Sequence, residues 1–466
     1  MMRFSPDLVI IGAGTTAFAA AKHASQQGAR VLMIEQAKVG GTCINWGCVP
    51  SKTLIHKAEL YHAARRGERY GLNLSAGLLS CPDLMNAKQK AVDRVRQHNY
   101  LELIHSDPHI ELMPGHAQFV SAETLRVGPE EIDCNRFLIA TGGIPRSLDI
   151  PGIHKTGFLN SYSALNLPCV PQSVVIIGGG VIALEMGQMF LRFGSQVTVL
   201  ERGERPLAEF DSRLTALLCG QLAAEGLHQH FGVEIERVEK QDEGIRVVGK
   251  IHGREASFQA ERIMLAVGTV AATQGLGLDC AGVEMTPHGF IAVDREMKTS
   301  APTVWAAGDV TGPPLIAPAG ELEGEVAVDN MLNGSGRQVD HHGTPMAVFI
   351  DPEIAMVGLN AQQAAQEGLE AIESFLDLSL VGKAHIVDQP QGGLLLWADR
   401  RTGAVLGAQA LAPRAADMIH EVALAVRCNL TVGDLANLVH VYPTISDGWR
   451  LLARKCQREL TERNSV

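Results

Sequence analysis

The sequence lacks features that would place it in a membrane, among secreted disulfide scaffolds or on a nucleic acid. No apolar run reaches the roughly 18 residues that a membrane-spanning helix needs. The 9 cysteines in 466 residues are mostly scattered, as free thiols in a reducing cytoplasm are. Acidic residues outnumber basic ones, 51 against 40, and the net charge of −11 argues against a phosphate-backbone partner. The composition is typical of a soluble, cytoplasmic protein.

The N-terminal stretch MMRFSPDLVIIGAGTTAFAAA has an apolar run like that of a secretion signal. An Asp lies within this run, however, and a glycine motif interrupts it. We therefore expect a strand and a helix here. Length indicates about three domains of roughly 150 residues each.

A repeat organises the first part of the chain. DLVIIGAGTTAFAAAKHASQQGARVLMIE (7–35) is similar to SVVIIGGGVIALEMGQMFLRFGSQVTVLE (173–201). Each copy predicts a buried strand, a G-x-G-x-x-A turn, a helix and a second strand that ends in Glu. The glycines allow a tight turn and close approach of a pyrophosphate, and the Ala lets helix and strand pack closely. The matching residues are Gly12, Gly14, Ala17 and Glu35 in the first copy, and Gly178, Gly180, Ala183 and Glu201 in the second.

Two such copies predict two dinucleotide sites, typically for a flavin and a nicotinamide. Each helix N-terminus offers free N–H groups to phosphates. Three further apolar strands end at glycine turns, at ATGG (140–143), AVGT (266–269) and AAGD (306–309). Asp309, just beyond a strand end, is placed to bond the ribityl or phosphate end of a flavin.

The pattern changes after about residue 337. Alternating segments at 346–358 and 393–411 predict antiparallel strands, and 415–429 predicts an amphipathic helix. The stretch 333–345 is the best candidate for a linker. These features indicate a third, α+β domain.

The stretch GGTCINWGCVPSK (40–52) holds the one close pair of cysteines, Cys43 and Cys48. A static disulfide, half a zinc site and a redox pair are the three interpretations. Pro50 suits the first turn of a helix, whose N-terminus would activate a Cys48 thiolate, and Lys52 adds positive charge. No second Cys or His pair with zinc spacing is evident. The redox pair is favoured.

Residues 40–52 resemble the redox motif of the flavin-dependent pyridine nucleotide–disulfide oxidoreductases, which include lipoamide dehydrogenase and mercuric reductase. The similarity continues through both nucleotide motifs, ATGG, AAGD and FIDPEIAMVG (349–358). It implies an α/β fold of two Rossmann-like dinucleotide-binding domains plus a C-terminal α+β dimerisation domain. We predict an FAD-binding domain at 1–149 and 268–337, an NAD(P)-binding domain at 150–267 and a dimerisation domain at 338–466.

The resemblance also implies roles. Cys48 would be the thiolate facing the flavin, and Cys43 the thiol that meets the substrate. Lys52 and Glu185 match a pair near the reactive flavin nitrogen. The enzyme would use FAD with NADH or NADPH and form a homodimer whose site is shared between subunits. The candidate cofactor-binding residues are Gly12, Gly14, Ala17, Glu35, Gly41, Thr42, Thr141, Gly142, Gly178, Gly180, Ala183, Glu201, Arg202, Gly268, Gly308 and Asp309.

The choice between the nicotinamide coenzymes stays open. Glu201 favours NADH, because a carboxylate repels a 2′-phosphate. Arg202 and Arg205 follow at once and favour NADPH. We lean toward NADH.

The tail HVYPTISDGW (440–449) bears on the electron acceptor. Disulfide reductases of this family carry a His where this chain has Tyr442, and a Glu where it has Asp447. A phenol, with a pKa of about 10, is a poor base near neutrality. A Tyr at this position is a feature that this sequence shares with mercuric reductases. The resemblance implies that Cys43 and Cys48 would bind the metal ion transiently. His440 is a possible substitute base.

Mercuric reductases usually carry a vicinal cysteine pair at the C-terminal end, where this sequence has only Cys456. A metal complex would then need direct entry, or Cys456 would act. We therefore consider reduction of a soft metal ion, Hg(II) first, then the chemistry of lipoamide or another small disulfide, and a slow flavoprotein subunit or sensor.

Overall fold

The computed structural model describes residues 5–463, which form two compact units. The first unit comprises the chain up to Leu148 together with Leu159–Val170 and Leu265–Val339. The second comprises Asp149–Phe158, Pro171–Met264 and the chain from Asp340 onward. The predicted boundaries of the three domains stay a prediction.

The strands, in chain order, are β1 (Leu8–Ile11), β2 (Val31–Glu35), β3 (Ile110–Pro114), β4 (Ala117–Phe119), β5 (Thr124–Val127), β6 (Glu130–Asp133), β7 (Phe137–Ile139), β8 (Gly143–Pro145), β9 (Ser173–Ile177), β10 (Gln196–Leu200), β11 (His228–His230), β12 (Val233–Lys240), β13 (Ile245–Ile251), β14 (Arg254–Ala260), β15 (Arg262–Leu265), β16 (Thr269–Ala271), β17 (Val304–Ala306), β18 (Met346–Val348), β19 (Glu353–Gly358), β20 (Ala371–Asp377), β21 (Gly393–Asp399) and β22 (Val405–Ala412).

The helices are α1 (Thr15–Gln26), α2 (Gly41–Asn45), α3 (Cys48–Arg65), α4 (Cys81–Arg96), α5 (Glu102–Ser106), α6 (Ile153–Thr156), α7 (Ser161–Ala164), α8 (Val181–Phe193), α9 (Ser212–Glu225), α10 (Leu278–Ala281), α11 (Ala317–Asn333), α12 (Ala361–Gln366), α13 (Gly382–Ile386), α14 (Ala415–Arg427), α15 (Val432–Asn437) and α16 (Asp447–Arg463). A π-helical turn, Gln97–Leu101, joins α4 to α5.

The first unit is built on a parallel five-stranded sheet of order β17-β7-β1-β2-β3. Strand β1 shows why its sequence is apolar throughout. Leu8 and Ile10 join one buried cluster, while Val9 and Ile11 join another. A central strand buried on both faces reads as a continuous hydrophobic run. The predicted strand and helix near the N-terminus are β1 and α1, and residues 1–4 lie outside the described part.

The second unit contains the other copy of the repeat in a sheet of order β11-β10-β9-β15 and a meander β12-β13-β14. Farther along the chain, an antiparallel sheet of order β18-β19-β22-β21-β20 shares one apolar core with α14, α15 and α16. The predicted antiparallel strands and amphipathic helix are therefore confirmed, and so is the predicted fold class.

No helix within residues 5–463 is long and apolar enough to cross a bilayer.

Candidate functional site

The first glycine turn follows β1 and is shaped to receive a phosphate group. Gly12 has φ +116°, and a Cβ there would lie 2.4 Å from the Ala140 carbonyl oxygen, so only glycine fits. Gly14 precedes α1, and no side chain caps the first turn of this helix. Ala17 is fully buried. The free N–H groups of α1 are therefore left for an anion.

Glu35 at the end of β2 is held by backbone donors. Its Oε2 accepts a hydrogen bond from Ala13 N at 2.8 Å, and its Oε1 accepts one from Ala37 N at 2.7 Å. Each carboxylate oxygen has a second lone pair. The side chain is thereby fixed beside the turn, where a ribose hydroxyl would donate to it.

Gly41 brings the cysteine segment against the same turn. Its φ is +58°, and a Cβ there would lie 2.7 Å from the Gly14 Cα. Gly40 N donates to the Ala13 carbonyl at 2.7 Å. The two cysteines therefore start from a backbone that touches the phosphate turn.

Two polar side chains lie where β7 and β17 end. Thr141 Oγ1 is buried and has no hydrogen-bond partner among the described residues. Burial, with a smaller effect of Glu323, raises the pKa of Asp309 to about 6. Glu323 itself accepts a hydrogen bond from Gly308 N at 2.7 Å. An orphaned hydroxyl and a desolvated carboxyl beside two glycine turns fit the polar body of FAD.

The second glycine turn repeats this geometry in the second unit. Gly178 has φ +115°, Gly180 precedes an uncapped α8, and Ala183 is fully buried. Glu201 Oε1 accepts a hydrogen bond from Gly203 N at 2.6 Å. A Cβ on Gly179 would lie 2.8 Å from the Glu201 side chain. The middle glycine, which the sequence pattern did not single out, thus leaves room for the carboxylate.

The arginines after β10 differ in their surroundings. Arg205 donates to the carbonyl oxygens of Ala208 and Phe210 and to the Thr215 hydroxyl. Arg202 is exposed. Of the two predicted phosphate-binding arginines, the guanidinium of Arg205 is already used to hold its own loop.

Gly268 belongs to the first unit, between β15 and β16. It has φ +97°, and its carbonyl accepts a hydrogen bond from Arg146 N at 2.9 Å. Gly142 also has a positive φ, +72°. Both glycines therefore serve backbone turns next to paired strands β8 and β16.

The two cysteines meet as a dithiol. Cys43 lies in α2 and Cys48 is the first residue of α3. The hydrogen bond between the Cys43 thiol and the Cys48 side chain, together with burial, raises the pKa of Cys43 far above its ordinary value. Cys43 is partly buried, whereas Cys48 is exposed at a helix N-terminus, where an anion is favoured. This environment keeps the proton on Cys43 and favours the thiolate at Cys48.

Lys52 and Glu185 belong to different units. Lys52 lies in α3, one turn beyond Cys48, and is partly buried. Glu185 is buried in α8, and its Oε1 accepts a hydrogen bond from Phe349 N at 3.0 Å. The Phe349 amide therefore fixes the orientation of the Glu185 carboxylate.

Residues 440–447 form a loop and the start of α16. The Tyr442 side chain is 74% exposed, and its hydroxyl lies over Gly382. Asp447 is buried and accepts hydrogen bonds from Arg450 at 2.8 and 2.7 Å.

His440 is committed to a partner. Its side chain is 6% exposed, and its Nε2 lies 2.9 and 3.1 Å from the two carboxylate oxygens of Glu421. Burial raises the pKa of Glu421, against the opposing effect of His440. Cys456 is fully buried in the core around α16, in contrast to the exposed Cys48.

Sequence reasoning missed two tyrosines. Tyr100, in the π-helical turn, is buried, packs edge-on against Phe18 at 4.6 Å and belongs to the cluster against which Cys43 packs. Tyr162, in α7, lies 3.0 Å from the Thr42 hydroxyl. Neither has a motif around it. A π-helical turn is often functional, but it is visible only in the structure.

Among the described residues, no three His, Cys, Asp or Glu side chains gather into a metal-binding group.

The chain matches the family described as pyridine nucleotide-disulphide oxidoreductase over residues 6–325 and the dimerisation domain of that family over residues 344–453. It is 37% identical over 456 residues to a mercuric reductase of Bacillus cereus, and the aligned region covers 98% of this chain and 72% of that protein. It is 32% identical over 446 residues to a dihydrolipoyl dehydrogenase of Geobacillus stearothermophilus, with coverage of 95% and 94%.

A solved structure with the same fold is the Cu(II) complex of the HOCl-induced flavoprotein disulfide reductase RclA from Escherichia coli. Its TM-score is 0.85 at 28% identity, with 97% of this chain and 99% of that chain covered. The chain therefore belongs to the pyridine nucleotide–disulphide oxidoreductases, enzymes that use FAD and NAD(P)H, and it carries their dimerisation domain, which supports a homodimer.

Proposed function

We propose that this enzyme passes electrons from NAD(P)H through FAD and the Cys43–Cys48 pair to a soft metal ion, with Hg(II) as the candidate. The observation that carries the proposal is the environment of the tail. Tyr442 is exposed where disulfide reductases have a histidine, and the imidazole of His440, two residues earlier in the chain, is buried against Glu421. The tail thus offers no exposed imidazole to protonate a departing thiol.

Reduction of a metal ion does not need that proton. The Cys43 thiol and the Cys48 thiolate would bind the ion as two thiolates, which displaces the small ligands of the ion and releases the one proton that Cys43 holds. The net reaction balances as NAD(P)H plus Hg(II) giving NAD(P)⁺, a proton and Hg(0). A Cu(II) complex of a relative with the same fold supports metal-ion binding by proteins of this fold.

The roles of the site residues follow from the same proposal. FAD, when bound, supplies the transfer of an electron pair between the nicotinamide and the sulfurs. The uncapped N-terminus of α1 would bind its phosphates, Glu35 its ribose and Asp309 its ribityl or phosphate end. The second turn, with Gly178, Gly180 and Glu201, would hold NAD(P)H.

Cys43 would exchange with the acceptor and would lose its thiol proton when it binds the metal ion. Cys48 would hold the thiolate against the flavin ring. In the homodimer, Tyr442 of the partner subunit would complete the site. Lys52 and Glu185 would act near the reactive flavin nitrogen.

The test measures NADH and NADPH oxidation by the purified yellow enzyme with Hg(II) plus excess small thiol, and separately with lipoamide. We expect turnover with Hg(II) and release of volatile mercury. Turnover with lipoamide alone contradicts the metal proposal and favours the second class of acceptor.

Cys48→Ser is the control for the dithiol. This variant should retain its flavin and lose metal-dependent turnover, because a single thiol cannot form the two-sulfur site. If the variant turns over with Hg(II) at the wild-type rate, the pair has no part in the reaction. Bleaching of the flavin by NADH with neither acceptor active favours a subunit or sensor.

A further inference from the structure

Tyr162 connects the cysteine segment to a neighbouring strand within the first unit. Its hydroxyl lies 3.0 Å from Thr42 Oγ1 and donates to the Gly143 carbonyl at 3.2 Å. Thr42 directly precedes Cys43 in α2, and Gly143 is the first residue of β8. One phenol therefore bridges the helix that carries Cys43 and the strand that follows the ATGG turn.

The ring of Tyr162 makes a second contact with the same segment. It stacks on Trp46 with 5.7 Å between ring centroids and an interplanar angle of 27°. Trp46 lies between the two cysteines in the sequence. An aromatic pair of this kind stabilises a contact beyond the effect of the apolar area that it buries. The tyrosine thus holds the segment before Cys43 by its hydroxyl and the segment after Cys43 by its ring.

Helix α7, which carries Tyr162, is held at both ends by hydrogen bonds. Asn160 and Ser163 form a reciprocal capping box at its start. At its other end, the buried Lys88 ammonium donates to the Leu165 carbonyl at 2.9 Å and to Asn166 Oδ1 at 2.8 Å. Tyr162 is therefore presented from a short helix that cannot easily shift.

The segment that Tyr162 holds is weak on its own. Helix α2 has 5 residues and no side-chain cap, and it begins after Gly40, which has φ +95°. An isolated helix shorter than about 12 residues is marginal in water. Contacts from outside α2 must therefore determine where Cys43 lies relative to Cys48.

We propose that Tyr162 is a positioning residue for the redox pair. By its contacts with Thr42 and Trp46, Tyr162 keeps Cys43 in contact with Cys48 when the pair is reduced. This inference rests on the proposed redox role of the two cysteines. Burial raises the pKa of Tyr162, against the opposing effect of its hydrogen bond with Thr42 and with a smaller contribution from Asp309, so the phenol stays neutral.

The test uses Tyr162→Phe, which deletes the hydroxyl and keeps the ring. In the NADH-reduced holoenzyme, the rate of Cys43 alkylation by iodoacetamide is followed by peptide mass spectrometry. The variant loses the hydroxyl's bonds to Thr42 and Gly143, and loss of the Thr42 bond, which holds the segment next to Cys43, should raise that rate by about three- to tenfold. The long-wavelength absorbance from thiolate donation to the flavin should fall in parallel.

Tyr61→Phe is the matched control, since the Tyr61 hydroxyl bonds the Gly77 carbonyl at 3.2 Å, away from the pair. Its alkylation rate should equal that of the wild type. Thr42→Val removes the other partner of the Thr42–Tyr162 hydrogen bond. The double variant with Tyr162→Phe should therefore show no further increase in the alkylation rate. Equal rates for Tyr162→Phe and Tyr61→Phe, or fully additive effects of the two partner variants, overturn the inference.

The outcomes separate this inference from the proposed function. A wild-type enzyme without long-wavelength absorbance on reduction would count against the redox role of the pair. The alkylation comparison still measures whether Tyr162 fixes Cys43. If Tyr162→Phe loses its flavin, the alkylation rate of Cys43 is measured in Thr42→Val. If Thr42→Val loses its flavin, the rate is measured in Tyr162→Phe.

Discussion

At the scale of single residues, burial sets the charge of one carboxyl group in the site, and a backbone amide fixes the position of another. Asp309 is the strongest case in the first unit, because its carboxyl is desolvated close to a second carboxyl, that of Glu323. In the second unit, a backbone amide fixes the Glu201 carboxylate beside a glycine turn.

Asp309 should give flavin-free protein a pH-dependent stability. Its pKa is about 6 in the folded state, above the 3.8 of the free side chain, so the folded state binds the proton more tightly. Stability is then lost as the pH rises from about 4 through 6, with about 1 kcal/mol of the loss between about pH 5 and about pH 7. Urea unfolding of Asp309→Asn should lack this component. The same slope in both proteins would show that Asp309 does not titrate in this range.

Glu201 should make the enzyme prefer NADH. Its fixed carboxylate repels a 2′-phosphate, and Arg205 is held by its own loop. Glu201→Ala should lower the ratio of kcat/KM for NADH to that for NADPH by about tenfold, equivalent to about 1.4 kcal/mol. Arg202→Ala, on the same loop, should leave the preference for NADH or increase it. A wild-type enzyme that prefers NADPH contradicts this prediction.

At the scale of elements, α8 is tied to the loop before β19 within the second unit. Gln188 donates to the Asp351 carbonyl and accepts from Asp351 N, both at 2.8 Å. Arg192 contacts Glu225 at 2.6 Å and Asp351 at 2.8 Å, with its side chain 5% exposed. The helix that carries Glu185 is thus joined to the loop whose Phe349 amide orients Glu185.

Arg192→Leu should destabilise the protein strongly. The change removes the guanidinium that pairs with Glu225 and Asp351, and breaking a buried pair from one side costs about 3–5 kcal/mol. Arg213→Leu is the matched control, because the Arg213 side chain is 45% exposed and its pairs with Asp211 and Glu373 are worth less than about 1 kcal/mol. Urea midpoints measure both variants, and equal losses would contradict the assignment.

At the scale of the whole molecule, the dimerisation domain presents an apolar strip. Four apolar or aromatic side chains of this strip are exposed in the described chain, namely Leu438, Val439, Val441 and Tyr442. His440, in the middle of the strip, is buried and contacts Glu421. Apolar side chains clustered on a surface mark an interaction site. A homodimer that covers this strip would place Tyr442 next to another subunit.

Val439→Asp should therefore shift the enzyme from dimer to monomer, because it buries a charge in the subunit interface. Analytical ultracentrifugation measures the change, and metal-dependent turnover should fall with the dimer fraction. Leu217→Asp changes an exposed leucine on α9 and should leave the dimer intact. A Val439→Asp enzyme that remains fully dimeric places the interface elsewhere.

The sequence alone determined the repeat, the glycine turns and the cysteine pair, because these features depend on local backbone geometry and fixed spacing. Gly12 and Gly178 show this directly, since their positive φ angles demand glycine whatever surrounds them. The family follows from the same motifs.

Only the tertiary structure decided the contacts between residues far apart in the chain. His440 was a possible base in the sequence, but packing places it in contact with Glu421. Arg205 was a possible phosphate ligand, but in the structure it donates a hydrogen bond to a carbonyl of its own loop. Tyr162 carries no local signal, because its role depends on Thr42, more than a hundred residues earlier. Burial and long-range hydrogen bonds arise when distant segments pack together, and no local pattern records them.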